Sequence, residues 1–263
     1  MQDRYTYKKS NVLNNVNYMR ILLKLRAKGD YAYDPTMNHK IQGFIYRCVG
    51  DSFFGGLHER LGPKYFCFSN IFPIGSIRKN DEVNLIISSP ITQLIQVLKM
   101  RIQQLEDINI GEYSFKLSTL KLIRMDVQSR LDLITGTPVV IRLPKSRYKE
   151  YKIKSRRQYE YWKETMPLNI FIDAVEENFI KKYNSFHGTN IEKAQLFERY
   201  EFKKEVGTVI RISGEDSVIV GSIWKFSTVY IDRKNTQLFS FLLDTGLGEM
   251  NSLGYGFLNK IKV

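Results

Sequence analysis

Met19-Arg20-Ile21-Leu22-Leu23-Lys24-Leu25-Arg26 carries an apolar residue at every second position. A period of two sends Ile21, Leu23 and Leu25 to one face, the pattern of a half-buried strand. A loop rich in Gly, Asp, Pro and Asn follows over residues 29–38, after which Ile41, Phe44, Ile45, Cys48 and Val49 recur at helical spacing until Gly50-Asp51. Residues 52–60 predict a second, short helix with His58 near its end, broken by Leu61-Gly62-Pro63. Strands are predicted over 65–71 and 83–87, then a helix over 92–107 with Leu94, Leu98, Ile102 and Leu105 on one stripe. Tyr113, Phe115 and Leu117 alternate again as a strand. The order is β-α-β-β-α-β, the ferredoxin-like unit, and it ends near residue 120.

The second half repeats the theme with insertions. Strands are predicted over 120–133 and 139–143 around the turn Thr135-Gly136-Thr137-Pro138. A basic stretch precedes a helix over 168–183, striped by Phe171, Val175, Phe179 and Tyr183. Strands over 197–203, 208–212 and 217–226, a helix over 235–243, a glycine-rich loop and a strand over 255–263 complete the pattern. The expected fold class is α+β, with two tandem ferredoxin-like, RNA-recognition-like domains. Residues 1–17 read as a polar extension lacking the apolar middle of a signal peptide. The first domain then spans 18–120 and the second 121–263.

The 263 residues hold 40 Lys+Arg against 27 Asp+Glu, a formal charge of +13, which points to a polyanionic partner. The 16 Tyr and 16 Phe lean towards RNA, whose bases stack on aromatic rings, although most aromatics in any domain are core. Cys48 and Cys67 form no CxxC pair, so a cysteine-based zinc site is excluded and a disulfide scaffold is not indicated. No run of 18 apolar residues occurs, so nothing spans a membrane, and the helix over 168–183 carries too many acids (Asp173, Glu176, Glu177) to lie on a membrane surface, so no membrane partner is expected.

Two groups of residues carry chemistry. The first is Gly246-Leu247-Gly248-Glu249-Met250-Asn251-Ser252-Leu253-Gly254-Tyr255-Gly256. Its glycines let backbone N–H groups approach a phosphate, or simply let a helix and a strand pack closely. It is neither a Rossmann nor a P-loop fingerprint, since those follow a strand and open a helix. The second is Tyr46, His58 and Lys64, which converge on one corner of the first domain. Metal-free RNA cleavage needs help at the ribose 2′-hydroxyl, an acid for the departing 5′-oxygen and a cation on the crowded phosphate. Tyr, His and Lys supply those roles, but a surface histidine near a tyrosine and a lysine is also common. Beyond these, His39 reads as a capping or surface residue, and His187 as a helix-end residue whose partial charge suits the dipole.

Taken together, these residues resemble the CRISPR-associated endoribonucleases that process precursor guide RNA, the sixth of the numbered Cas families. Asn38-His39-Lys40-Ile41-Gln42-Gly43-Phe44-Ile45-Tyr46 is similar to the family's first-helix motif. Leu57-His58-Glu59, Gly62-Pro63-Lys64-Tyr65-Phe66 and Phe68-Ser69 resemble its catalytic segment, and residues 246–257 its glycine-rich loop. The resemblance implies a prokaryotic, cytoplasmic, metal-independent endoribonuclease without a cofactor. It implies cleavage of CRISPR repeat RNA, leaving a 2′,3′-cyclic phosphate and a 5′-hydroxyl. Carried over by position, Tyr46 is the base or 2′-hydroxyl orienter, His58 the general acid and Lys64 the phosphate-stabilising cation.

Gly246, Gly248, Asn251, Ser252, Gly254 and Gly256 are then expected to grip RNA. Lys145, Arg147, Lys149, Lys152, Lys154, Arg156 and Arg157, seven cations opposed only by Glu150, are expected to form a backbone-tracking arm. The partners are CRISPR repeat RNA, both precursor and mature guide, with a multi-subunit interference complex and a homodimer as further candidates. A catalytically inactive repeat-RNA-binding subunit of the same fold is the alternative.

Overall fold

The computed structural model describes residues 19–212 and 215–261, so the extension assigned to residues 1–17 lies outside them. The first half contains β1 (Met19–Ala27), α1 (Met37–Val49), β2 (Cys67–Phe68), β3 (Glu82–Ser89), α2 (Thr92–Gln104), β4 (Ile108–Ile110) and β5 (Tyr113–Arg124). These strands form a five-stranded sheet in the order β2-β3-β1-β5-β4, with every neighbouring pair antiparallel. Ile21, Leu23 and Leu25 of central β1 are fully buried, in one core with Ile41, Phe44 and Ile45 of α1 and Leu94, Leu98 and Ile102 of α2.

The second half contains β6 (Asp132–Thr135), β7 (Arg142–Pro144), α3 (Tyr148–Tyr151), β8 (Tyr159–Tyr161), α4 (Leu168–His187), β9 (Phe197–Ile212), β10 (Glu215–Thr228), α5 (Thr236–Thr245) and β11 (Leu258–Lys260). Its four-stranded sheet runs β11-β6-β10-β9, again antiparallel throughout. With β7, α3 and β8 set aside as an insertion, β6-α4-β9-β10-α5-β11 repeats the topology of the first half. The chain is therefore α+β, two ferredoxin-like units in tandem.

Several local expectations change. Residues 52–60 make only a 3-10 turn, Gly55–Leu57, because the Gly55-Gly56 pair is a poor helix former and Gly55 packs against the Gly50 carbonyl. The strand over 65–71 shrinks to Cys67–Phe68, since Tyr65 adopts φ 52° and turns the chain. Leu105 leaves the α2 stripe: the helix ends at Gln104 and Leu105 is 40% exposed. β5 keeps pairing with β1 as far as Arg124↔Met19, so a boundary at 120 cuts a continuous ladder; the chain changes sheets between Arg124 and Asp132. Val139 and Val140 form single bridges rather than a strand, and residues 197–203 and 208–212 belong to one long strand. The final strand is Leu258–Lys260, with residues 262–263 of the expected one outside the described chain.

The two sheets are tied by a buried cation. Arg20 of β1 donates to Leu243 O at 2.5 Å and to Leu258 O at 2.9 Å, with its guanidinium 4.7 Å from the Phe257 ring centre. A cation at the carbonyl end of α5 also meets the negative pole of that helix. The contact fixes both ends of the 246–256 loop against the first domain.

Candidate functional site

α1 presents Gln42 and Tyr46 on one face, since residues four apart in a helix share a side. Lys64 Nζ donates to the Tyr46 hydroxyl at 3.1 Å and to the His58 carbonyl oxygen at 2.6 Å, closing the 58–64 loop over the end of α1. The Tyr46 and His58 rings meet edge to face with centroids 5.0 Å apart. His58 is exposed, whereas Tyr46 and Lys64 are half-buried. The three residues singled out in the sequence thus form one cluster. Burial pushes the Tyr46 phenol up to about 12 and draws the Lys64 ammonium below its ordinary value. At neutral pH Tyr46 is therefore a phenol, able to orient a hydroxyl but poorly suited to removing its proton.

Lys64 owes its aim to the other domain. The left-handed backbone at Tyr65 is held by a bond from its hydroxyl to Ser185 Oγ at 3.0 Å. Its ring also packs against Phe186 of α4 and Phe241 of α5. Such strained backbone persists only where its surroundings over-determine it.

The glycine loop completes the cluster from the second domain. Gln42 Nε2 donates to Ser252 O at 2.8 Å and lies 3.4 Å from the Tyr46 hydroxyl, which the Ser252 side chain also reaches. Beneath the loop, Lys182 of α4 is buried and donates to Gly246 O and Gly248 O at 3.0 Å and to Asn251 Oδ1 at 2.7 Å. Asn251 Nδ2 in turn donates to Leu247 O at 3.1 Å and Tyr255 O at 2.9 Å. Burial lowers Lys182 to about 7, while the three oxygens around Nζ favour its charged form. Gln42 and Lys182 were not singled out in the sequence. The spacing of Gln42 to Tyr46 carried a signal, but Lys181-Lys182 on α4 looks like any solvated pair.

Several polar groups of the glycine loop are engaged within the protein. Asn251 spends its amide inside the protein, and the N–H groups of Gly246, Gly254 and Gly256 donate to Leu242, Asn251 and Pro138 carbonyls. The glycines are required by packing: all four have φ between 71° and 81°, and a Cβ at Gly256 would overlap Leu247 O. Among the described residues, Gly248 and residues 250–252 keep backbone N–H groups without a partner, and Ser252 stays beside Tyr46.

The basic stretch sits on the β7–β8 ribbon, which Arg142 ties to the loop through Glu249, Nε to Oε2 at 2.6 Å. Lys145, Lys149, Lys152, Lys154, Arg156 and Arg157 are exposed. Arg147 is engaged within the protein: it pairs with Glu150 at 3.0 Å and with Glu177, and lies over the Tyr151 ring. His39 is exposed at the start of α1, remote in sequence from the 58–64 loop. His187 ends α4 but packs at a tilt against the Tyr183 ring, and burial lowers its pKa, so the partial charge expected there is opposed.

Two ferredoxin-like domains meeting at a glycine loop, with Tyr46 beside it and His58 and Lys64 against Tyr46, define the class: tandem ferredoxin-like proteins with a C-terminal glycine-rich loop. Residues 124–260 match the family profile "CRISPR associated protein Cas6, C-terminal". The chain is 34% identical to "CRISPR-associated endoribonuclease Cas6 2" of Methanocaldococcus jannaschii, covering 93% of this chain and 100% of that one. It is 30% identical to the Cas6 endoribonuclease of Haloferax mediterranei, over 93% and 94% of the two chains. The solved structure of a Cas6-related protein from Pyrococcus furiosus superposes with a TM-score of 0.72 at 21% identity, covering 93% of this chain and 99% of that one. The chain belongs to the Cas6 family.

Proposed function

We propose that this chain is an endoribonuclease that cuts CRISPR repeat RNA in precursor transcripts to release guide RNAs, and that it does so without a metal ion. The observation that carries the reading is the Lys64 ammonium bridging the Tyr46 hydroxyl and the His58 carbonyl, beside Ser252 of the glycine loop. The ribose 2′-oxygen attacks the adjacent phosphorus and the bond to the 5′-oxygen breaks, leaving a 2′,3′-cyclic phosphate and a 5′-hydroxyl. Tyr46, a phenol at neutral pH, orients the 2′-hydroxyl, whose proton passes to solvent water as its oxygen attacks. His58, exposed and in edge contact with Tyr46, donates a proton to the departing oxygen. Lys64 meets the charge that builds on the phosphorane. The six exposed cations of the 145–157 arm hold the RNA backbone, and the guide stays bound for delivery to an interference complex.

The test is cleavage of a labelled repeat RNA in excess EDTA, with His58→Ala and a 2′-deoxy substitution 5′ to the cut as controls. The expected result is one EDTA-resistant cut, abolished by the deoxy sugar and slowed on the order of 10²–10⁴-fold in the variant. Tight binding without a cut by the unmodified protein would instead make it a repeat-binding subunit.

A further inference from the structure

A second site lies at the far end of the α1 face that carries Tyr46. Asn38, Gln42 and Tyr46 follow one another at four-residue intervals, so they line one side of the helix. The rise from Asn38 to Tyr46 is about 12 Å. Ser252 of the glycine loop covers the middle of this stripe through Gln42. Beyond it, a pocket opens between the 33–36 loop with the start of α1, the 70–77 loop and β9, with Asn38, Asn70, Ile71, Tyr113 and Thr208 in its lining and Tyr33 at its edge, 58% exposed. Thr208 belongs to the second domain: it pairs with Ile219, which packs on Tyr255 of the glycine loop. The pocket and the Tyr46 cluster are thus joined by α1 and by the loop.

The chemistry of this pocket suits a flat, neutral, hydrogen-bonding ligand. The side-chain amides of Asn38 and Asn70 have no hydrogen-bond partner among the described residues, so each offers a donor pair and an acceptor. Ile71 and Tyr113 supply apolar wall, and Tyr33 an exposed ring. The lining contains no lysine or arginine, and its one carboxylate, Asp34, is taken by Lys40 at 2.8 Å. A phosphate would find no cation there. Unpaired bases, in contrast, are read by stacking on aromatic rings and by hydrogen bonds to their edges.

We propose that this pocket binds one unpaired nucleobase of the RNA, close to the scissile phosphate, with Asn38 and Asn70 reading its edge and Tyr33 stacking on its face. The site rests on the cleavage reading above, because the strand that delivers the base is the one cut at Tyr46. It selects where the RNA is cut: the Tyr46 cluster handles a phosphate and a ribose that every nucleotide shares, and the pocket reads what differs.

The experiment is a scan of single abasic substitutions through the repeat around the cut, with dissociation constants measured for the unmodified protein, an Asn38→Ala/Asn70→Ala variant and Tyr33→Ala. One position is expected to weaken binding to the unmodified protein about tenfold when its base is removed. Each variant should bind intact RNA correspondingly less tightly, and at that position the abasic change should have no further effect, the signature of coupled partners. Truncating amides that pair with nothing in the fold should leave the melting transition in place. Additive losses at every position, or no change in binding by the variants, would overturn the pocket. Failure of the cleavage reading is separable: a protein that binds but does not cut still yields the abasic scan, whereas one that cuts with additive losses refutes the pocket alone.

Discussion

Replacing Lys182 by methionine separates the stability of the fold from the positioning of the site. The ammonium makes three hydrogen bonds to the glycine loop, at 3.0, 3.0 and 2.7 Å, and removing them forfeits about 3 kcal/mol at roughly 1 kcal/mol each. Against that, holding a lysine down at about 7 instead of 10.5 costs about 5 kcal/mol, at roughly 1.4 kcal/mol per unit. The two nearly cancel. Lys182→Met should therefore leave the protein as stable as before or about 2 kcal/mol more stable, moving Tm upward by roughly 4–8 °C. The loop, however, loses its tie to α4, and with it the placement of Ser252 beside Tyr46 and Gln42. A misplacement on the order of 1 Å costs about 10²-fold in rate. Calorimetry and single-turnover cleavage with enzyme in excess measure the two effects on one preparation. The expected result is a rate constant lower by about 10- to 100-fold, full cleavage amplitude and an unchanged or higher Tm. An unchanged rate constant would refute the positioning argument, and a Tm lower by more than about 10 °C would refute the energetic one.

Lys182 also predicts a pH slope. Its folded value of about 7 lies below its ordinary 10.5, so the unfolded chain holds more protons in that window and stability rises with pH across it. Urea unfolding of the protein and its Lys182→Met variant at pH 7 and pH 10 should show that rise only in the former. Tyr46→Phe keeps the ring against His58 and Phe66 but removes the hydroxyl, and should slow single-turnover cleavage about tenfold or more. With the phenol at about 12, the pH–rate profile of the unmodified protein should contain no limb below pH 11 that Tyr46→Phe abolishes. Gly256→Ala forces a Cβ into Leu247 O at φ 71° and should destabilise by about 3 kcal/mol or more, seen as a Tm lower by roughly 6–12 °C. Neutralising Lys149, Lys154 and Arg156 together should flatten the salt dependence of RNA binding, while Arg147→Ala should lower Tm without changing that slope, because its partners are Glu150 and Glu177.

Much of the architecture was legible in the chain because patterning of period two and period 3.6 is a local property. The alternation at Ile21, Leu23 and Leu25 marks β1, the stripe at Phe171, Val175 and Phe179 marks α4, and their order predicts the repeated βαββαβ unit. Tyr46, His58 and Lys64 were legible because eighteen residues of chain hold all the positions after Tyr46, and a helix followed by a tight loop brings such neighbours together. The end of β5 was not, since a strand extends for as long as a partner continues beside it, and Arg124 pairs with Met19 more than a hundred residues away. The roles of the loop residues were hidden for the same reason. Composition made Asn251 and the glycines candidates for gripping RNA, but α4 delivers Lys182 from 69 residues away and turns Asn251 inward. Only α1, α4 and the glycine loop in one place decide that Ser252 faces Tyr46, that Asn251 holds the loop and that Arg147 pairs with acids. Each of these depends on which distant polar group arrives first to satisfy a buried donor or acceptor, and that competition is resolved in three dimensions.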